Sequence, residues 1–348
     1  MPSLTDLLGT ALPLIQAPMA GIQTHAMAIA VSNAGGLGSL PAAMLSPDQL
    51  RNELTAIRAG TSKPYNVNFF AHTNPAPDAA REAVWRDALR KYHTEFGLDV
   101  DAVPPGAGRA PFDAAIADLV EPFRPPVVSF HFGLPAPDLL ARVKGWGSRI
   151  LASATTVDEA LWLEAHGVDA VIAQGLEAGG HRGIFLTDEL TTQVPTFALL
   201  PQVVAAVKVP VIAAGGIADA AGVRAAMALG AAGVQVGTSY MLCDEASTSA
   251  LHRKALQSEA ARHTALTTLF TGRPARGIVN RLMRELGPLS PSAPPFPTAT
   301  AAIAPLRAKA EATGSGDFSP LWSGQNPTGV KPVGAAVMTT ELAKGLAN

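Results

Sequence analysis

Val209-Pro210-Val211-Ile212-Ala213-Ala214-Gly215-Gly216-Ile217-Ala218-Asp219 runs from a β-branched apolar segment, through two adjacent glycines, to an aspartate able to cap a helix. The run over 209–213 reads as a buried strand, and 220–229 has helical spacing. A strand that turns directly into a helix is the repeating element of a parallel sheet. The same alternation extends in both directions. Strands are expected over 12–17, 36–40, 65–70, 127–132, 149–152, 170–173, 209–213 and 233–236, with helices over 25–32, 47–59, 137–144, 157–166, 197–207 and 220–229. Ser46-Pro47-Asp48 and Thr156-Val157-Asp158-Glu159 have the residues of helix first turns. Eight such strands close a cylinder, so the fold expected is an α/β TIM (β/α)8 barrel with a smaller, mainly helical cap.

The cap is expected from two segments. Between the third and fourth strands, 73–126 is proline-rich and far longer than a barrel connection, which marks a lid or binding insertion. Within it 78–92 has helical spacing and 104–109 reads as a loop. Past the eighth strand, 246–263 is expected to be helical, 290–297 is a proline-rich connector, and 299–312 returns to helical spacing. The division expected is therefore a barrel of 1–72 and 126–260 with a cap of 73–125 and 261–348.

Composition narrows the function. With 348 residues and 48% hydrophobic content the chain can bury a large core. Its 28 acidic and 26 basic residues nearly cancel and are scattered, which argues against a nucleic-acid partner. The single cysteine, Cys243, leaves no disulfide framework and no multi-cysteine metal site, and it reads as a small buried apolar residue. No apolar run reaches the roughly 20 residues needed to span a bilayer, and the start, Pro2-Ser3-Leu4-Thr5-Asp6, lacks a signal pattern. A cytoplasmic protein without a membrane partner is the expectation; the oligomeric state is not legible.

In a parallel barrel the chemistry gathers where the strands end. Gly215-Gly216 after the seventh strand and Gly237-Thr238 after the eighth present N–H donors where barrels place a phosphate site, although tight turns would use the same glycines. The end of the first strand, Gln16-Ala17-Pro18-Met19-Ala20-Gly21, offers small residues and a thioether against which a flat ring could pack. Asn68 and Gln174 bring amides toward ring nitrogens and carbonyls, or else cap their loops. Together these groups would hold flavin mononucleotide (FMN). No G-x-G-x-x-G follows an early strand, so a Rossmann site is not indicated. After the sixth strand, Gln174-Gly175-Leu176-Glu177-Ala178-Gly179-Gly180-His181-Arg182-Gly183 sets His181 behind bare backbone, in the manner of an active-site lip; a loop with an incidental histidine is the alternative.

Gln16-Ala17-Pro18-Met19, Asn66-Val67-Asn68-Phe69, Gln174-x-x-Glu177-Ala178-Gly179-Gly180-His181-Arg182-Gly183, Ala213-Ala214-Gly215-Gly216-Ile217 and Gln235-Val236-Gly237-Thr238 together resemble the class I nitronate monooxygenases, once called 2-nitropropane dioxygenases. The resemblance spans residue 12 to about 240, and Phe318-Ser319-Pro320-Leu321-Trp322-Ser323-Gly324-Gln325 also resembles that family. It implies an FMN barrel that oxidises alkyl nitronates, notably propionate 3-nitronate, and nitroalkanes when offered, with molecular oxygen. One-electron transfer and a flavin semiquinone are the implied route. By matching position, Met19, Ala20, Gly21, Asn68, Gln174, Gly179, Gly180, Gly215, Gly216, Gln235, Gly237 and Thr238 would line the flavin, with His181 catalytic and no metal involved. His131, in Ser129-Phe130-His131-Phe132-Gly133, would face the substrate unless it is only a hydrogen-bonded wall residue; His72 is a weaker candidate.

One departure stands out. The family has cap tyrosines and a lysine facing the substrate, whereas this chain has only Tyr65, Tyr92 and Tyr240, and its cap stretches 106–112 and 299–307 are mostly small or aliphatic. Arg109 or Arg307 is then the candidate to pair with a substrate carboxylate. Two other readings remain open: a flavin-dependent enoyl reductase fed by a reduced nicotinamide, and a barrel that binds flavin or a sugar phosphate without turnover.

Overall fold

The computed structural model describes residues 3–104 and 109–346; of the loop expected over 104–109, residues 105–108 lie outside that description. Eleven strands are described: β1 (Leu14–Gln16), β2 (Gly38–Pro41), β3 (Tyr65–Phe70), β4 (Val127–His131), β5 (Arg149–Ala154), β6 (Ala170–Gln174), β7 (Gly180–His181), β8 (Val211–Ala214), β9 (Gly233–Val236), β10 (Thr264–Thr267) and β11 (Ala275–Ile278). Eight of them form one parallel sheet in the order β1-β9-β8-β6-β5-β4-β3-β2, and a parallel bridge between Ile15 and Leu37 brings its two edges together. The TIM barrel expected from the alternation is the fold found. Its helices follow the same alternation, His25–Asn33, Pro47–Gly60, Pro137–Gly145, Val157–Ala165, Thr196–Ala206 and Ala220–Ala228. No helix of the described residues is long and apolar enough to cross a membrane.

Two layers of side chains fill the barrel, and the difference between them positions the site. At the bottom, Ile15, Leu37, Val127, Leu151, Ile172 and Ile212 pack with Leu4 and Leu8 of the helix Leu4–Leu8, which plugs the cylinder. Ser3 and Asp6 close that helix with a reciprocal cap. Toward the strand C-termini the staves carry Asn68, Ser129, Ser153, Gln174 and Gln235. An apolar floor beneath a polar rim directs any polar ligand to one end only. Outside the staves, Leu54, Ile57, Val143, Leu163, Leu200, Val203 and Val223 seal the helices onto the sheet, each burial stabilising by about 1.5–3 kcal/mol.

The insertion and the C-terminal segment share a second core. Asp78 accepts from Arg81 N at 2.9 Å and starts the helix Ala79–Glu95, whose Trp85, Leu89 and Tyr92 pack with Ala302, Ile303 and Leu306 of Thr300–Ala312. The Trp85 indole donates to the Ala299 carbonyl at 3.1 Å, which ties segments more than two hundred residues apart. Two other helices lie on the barrel: Ala114–Val120 packs against Pro47–Gly60 and Pro137–Gly145, and Ala335–Ala343 against His25–Asn33 and Ala220–Ala228.

The helix expected over 246–263 is not continuous. Ser249 accepts from His252 N and starts a short helix, Ala250–Leu256, and a 3-10 turn over Glu259–Arg262 follows Ser258. Serines compete for nearby backbone groups and favour starts over interiors, which accounts for the break. Beyond it β10 and β11 pair antiparallel, and β11 pairs with β7, placing Ala275 opposite His181 and Arg276 opposite Gly180. A two-residue strand containing a glycine has no alternation to read, so this small sheet left no sequence signal.

Candidate active site

β8 hands over to Gly215 and Gly216, whose φ values of 111° and 73° lie where residues with a Cβ are strained. Among the described residues neither N–H has a partner in the protein. A Cβ on Gly215 would sit 2.9 Å from Thr196 Oγ1 and 3.1 Å from Ala178 N, so the turn is also too tight for a side chain. Beside it, Gly237 and Thr238 follow β9. A strap from the C-terminal segment crosses here: Gly324 N donates to Thr238 Oγ1 at 2.9 Å, Gln325 N to Glu177 O at 3.0 Å, and the Asn326 amide to Gly216 O at 3.1 Å. The strap passes because residue 179 is a glycine, since a Cβ there would lie 2.5 Å from Gly324 N. From the rim, half-buried Gln235 presents a buried Oε1 that has no partner among the described residues. The result is a concave patch of free donors beside an unused amide.

The opposite part of the same cavity is aromatic and cationic. His181 sits among Phe70, Phe132, Phe296 and Trp322, with ring centroids 6.1, 5.9, 5.6 and 5.6 Å away. Its Nε2 is 3.0 Å from Thr271 Oγ1. Burial holds its pKa well below the usual 6.5, and Arg109, His131, Arg273 and His72 all push the same way. His181 is therefore a neutral imidazole at pH 7. The space between cradle and imidazole is continuous, one open-mouthed cavity lined from Gly215 and Gly216 to His181.

The family of nitronate monooxygenases matches residues 1–344 of this chain. A nitronate monooxygenase of Paraburkholderia phytofirmans is 42% identical over 99% of this chain and 94% of its own length, and one of Pseudomonas aeruginosa is 41% identical over 98% of each. The solved structure of a nitroalkane oxidase from Streptomyces ansochromogenes superposes with a TM-score of 0.89 at 37% identity, covering 99% of this chain and 98% of that one. The chain belongs to the nitronate monooxygenase family. It is accordingly an enzyme, an oxidoreductase.

Every family-matched residue expected at the site lines this one cavity except Gly21, which makes the turn after Met19 and Ala20 with φ 78°. Two of them have most of their hydrogen bonds committed elsewhere. Gln174 accepts from Gly183 N at 2.8 Å and donates to His181 O at 3.0 Å, so its amide braces the histidine loop. His131 donates from Nε2 to the same His181 carbonyl at 3.1 Å, and its Nδ1, 3.0 Å from Ser153 Oγ, accepts from that hydroxyl. Burial pushes its pKa down to about 4, and what it shows the cavity is ring surface. Asn68, by contrast, spends its Nδ2 on Ser129, and its Oδ1 has no partner among the described residues. His72 lies off the cavity, bonded to Asn74 at 3.2 Å.

Arg182 is the hidden support of the loop. Fully buried, it donates to Gly175 O and Gln174 O at 2.7 Å each and to Gln193 Oε1 from two nitrogens. Gln193 continues to Thr155 and from there to Glu159, whose Oε1 accepts from Phe185 N at 2.6 Å. Burial lowers the Arg182 pKa to about 10, which leaves it charged. The family's cap phenols have no replacement here: Tyr65 and Tyr92 are buried in the two cores, Tyr240 bonds Thr339, and none of the three lines the cavity. Of the two cap arginines, Arg307 pairs with Glu311 at 2.7 Å away from the cavity, while Arg109 lines it. Cys243 is buried, with its thiol pushed up to about 12, and takes no part. The strap residues Trp322, Ser323 and Gly324 fall within 318–325, the stretch that resembles the family, whereas Asn326, which also lines the cavity, and Thr271, which bonds His181, carried no sequence signal.

Proposed function

We propose that this enzyme binds FMN in the cavity and oxidises nitronates with molecular oxygen. One observation carries the reading: free backbone donors at Gly215 and Gly216 and the neutral imidazole of His181 share one cavity, and the charged groups that perturb that imidazole are all basic. The donor patch suits a phosphate, with Thr238 and the strap closing over it. Gln235 Oε1 and Asn68 Oδ1 are acceptors suited to the N–H groups of a flavin ring, and Met19, Ala20 and Gly180 leave a smooth apolar wall for it. Bound there, the flavin supplies the electron acceptance that no side chain of the cavity offers.

The protein's own part is to bind, orient and keep protons in place. The cationic surroundings of His181 favour an anion, and a nitronate enters as one. Neutral His181 can hold a nitronate oxygen through a ring N–H. It can also take the α-proton of a neutral nitroalkane, but the same burial and cations that lower its pKa make it a weak base. The site is thus better suited to nitronates than to their parent nitroalkanes. Phe70 and Trp322, which line the cavity beside His181, exclude water around the reacting carbon.

The test is the visible spectrum of the purified protein followed by anaerobic mixing with reduced nicotinamide. A flavin spectrum that persists with the nicotinamide supports the oxidative reading. Rapid bleaching would favour the reductase, and a protein that takes up no FMN on reconstitution would overturn both.

A further inference from the structure

Among the described residues the His181 ring has one hydrogen-bond partner, Thr271, whose Oγ1 lies 3.0 Å from Nε2. Its other ring nitrogen, Nδ1, has no partner there, yet it is not among the unpartnered polar atoms sealed from solvent, as His72 Nδ1 and His93 Nδ1 are. Nδ1 is therefore the nitrogen that His181 shows to the cavity its ring lines. Thr271 is 2% exposed, in the turn between β10 and β11, so water does not compete for its hydroxyl. Gly272 N donates to Thr268 O at 2.7 Å across that turn, and a Cβ on Gly272 would run into Pro294 O. Directly after His181, Arg182 N donates to Pro274 O at 2.8 Å, which locks the turn to the histidine segment.

The neighbours of the Thr271 oxygen decide which way its hydrogen points. Arg273 N can only donate, and at 3.4 Å it takes a lone pair of Oγ1. Two acceptors then compete for the hydroxyl hydrogen, His181 Nε2 at 3.0 Å and Arg273 O at 3.4 Å. The nearer one prevails, because hydroxyl hydrogen bonds weaken beyond about 3.0 Å. A hydroxyl that itself accepts is also the stronger donor. Nε2 thus accepts, and in a neutral imidazole the ring proton then sits on Nδ1.

We infer that Thr271 is a positioning residue that fixes the tautomer of His181, keeping the ring proton on the cavity-facing Nδ1 so that the imidazole meets substrate as a hydrogen-bond donor. The catalytic consequence rests on the proposed nitronate oxidation. A nitronate oxygen accepts from Nδ1–H directly. A neutral nitroalkane must instead give its α-proton to a bare Nδ1, which requires the other tautomer: the ring hydrogen on Nε2 donated to Thr271, and the Thr271 hydrogen turned to Arg273 O. The α-proton then passes to Nδ1, the electron pair stays on the substrate as its nitronate, and the ring is left as an imidazolium. The Thr271 hydroxyl therefore favours the substrate that arrives already ionised.

The experiment records long-range proton–nitrogen NMR spectra of the holoenzyme with 15N-labelled histidine at neutral pH, where the ring nitrogen shifts tell a protonated nitrogen from one carrying a lone pair. The His181 signals are those lost in His181→Asn. The natural protein and Thr271→Ser are expected to show one tautomer with Nδ1 protonated, and Thr271→Val a mixture of both. A ring protonated on Nε2 in the natural protein overturns the proposal, whether or not Thr271→Val folds, and so does an unchanged tautomer in Thr271→Val. In parallel, kcat/KM is compared for nitroethane and its nitronate. The preference for the nitronate is expected to fall about two- to ten-fold in Thr271→Val, the range of one hydrogen bond, and to be kept in Thr271→Ser. Equal changes on both compounds overturn the proposal. Should the natural protein consume no oxygen with either, nitronate oxidation fails, while the tautomer spectrum still decides Thr271.

Discussion

At the β8–β9 end of the cavity the ligand-facing groups are backbone amides held by Gly215, Gly216 and Gly179, whereas at the cap end they are side chains gathered from distant segments: Phe70, Arg109, His181 and Trp322. The first kind of site is written locally, because a main-chain cradle needs glycines in consecutive positions. The second is written across the fold, and any of its members can change without disturbing the rest. That difference explains how the cradle keeps the family pattern while the cap has lost its phenols. It also separates the two tasks, holding a cofactor and choosing a substrate.

Perturbing each end separates these tasks experimentally. The largest effect is expected from His181→Asn, which should lower kcat/KM for a neutral nitroalkane about 10²–10⁴-fold while the protein stays flavin-bound; loss of flavin instead would place His181 in the cradle. Because His181 is already neutral, nitronate turnover in the natural protein should show no inflection near pH 6.5 in its pH–rate profile. Next, Gly179→Val, which drives a side chain into Gly324 N, should weaken FMN about a hundred-fold with a far smaller change in substrate KM, read by equilibrium dialysis. A stability effect follows. His131 and His252 have folded-state values of about 4, below the 6.5 of the unfolded chain, so both are neutral in both states above pH 6.5. Between 6.5 and 4 only the unfolded chain takes up those protons, and denaturant titrations should show stability falling by about 1.4 kcal/mol per pH unit for each histidine. The smallest effect is expected from Thr271→Val, roughly a few-fold on nitroalkane turnover with a displaced pH profile, since a hydrogen bond that orients His181 is lost.

The barrel was legible because most buried strands run into glycine, proline or a polar residue, and four of its six alternating helices open on a side-chain cap, Thr24, Ser46, Thr156 and Asp219. Gly215-Gly216 and Gly237-Thr238 could be located for the same reason, since their conformation is a local matter. Side-chain duties were harder to read. Gln174 and His131 were expected to meet the ring and the substrate, yet both bond the His181 carbonyl, a partner fixed only once β4, β6 and β7 converge. The strap at 322–326 lies far beyond β9 in sequence, and its approach depends on the missing Cβ of Gly179. That Arg109 forms no ion pair among the described residues is likewise a property of the assembled cap.

The most direct test is an oxygen electrode trace recorded on adding propionate 3-nitronate to the purified protein with FMN present and no nicotinamide. Oxygen should be consumed at once, and nearly as fast at pH 6 as at pH 8, as befits an imidazole that is uncharged throughout. A flat trace from a protein that has bound FMN would contradict the assignment of this cavity to nitronate oxidation.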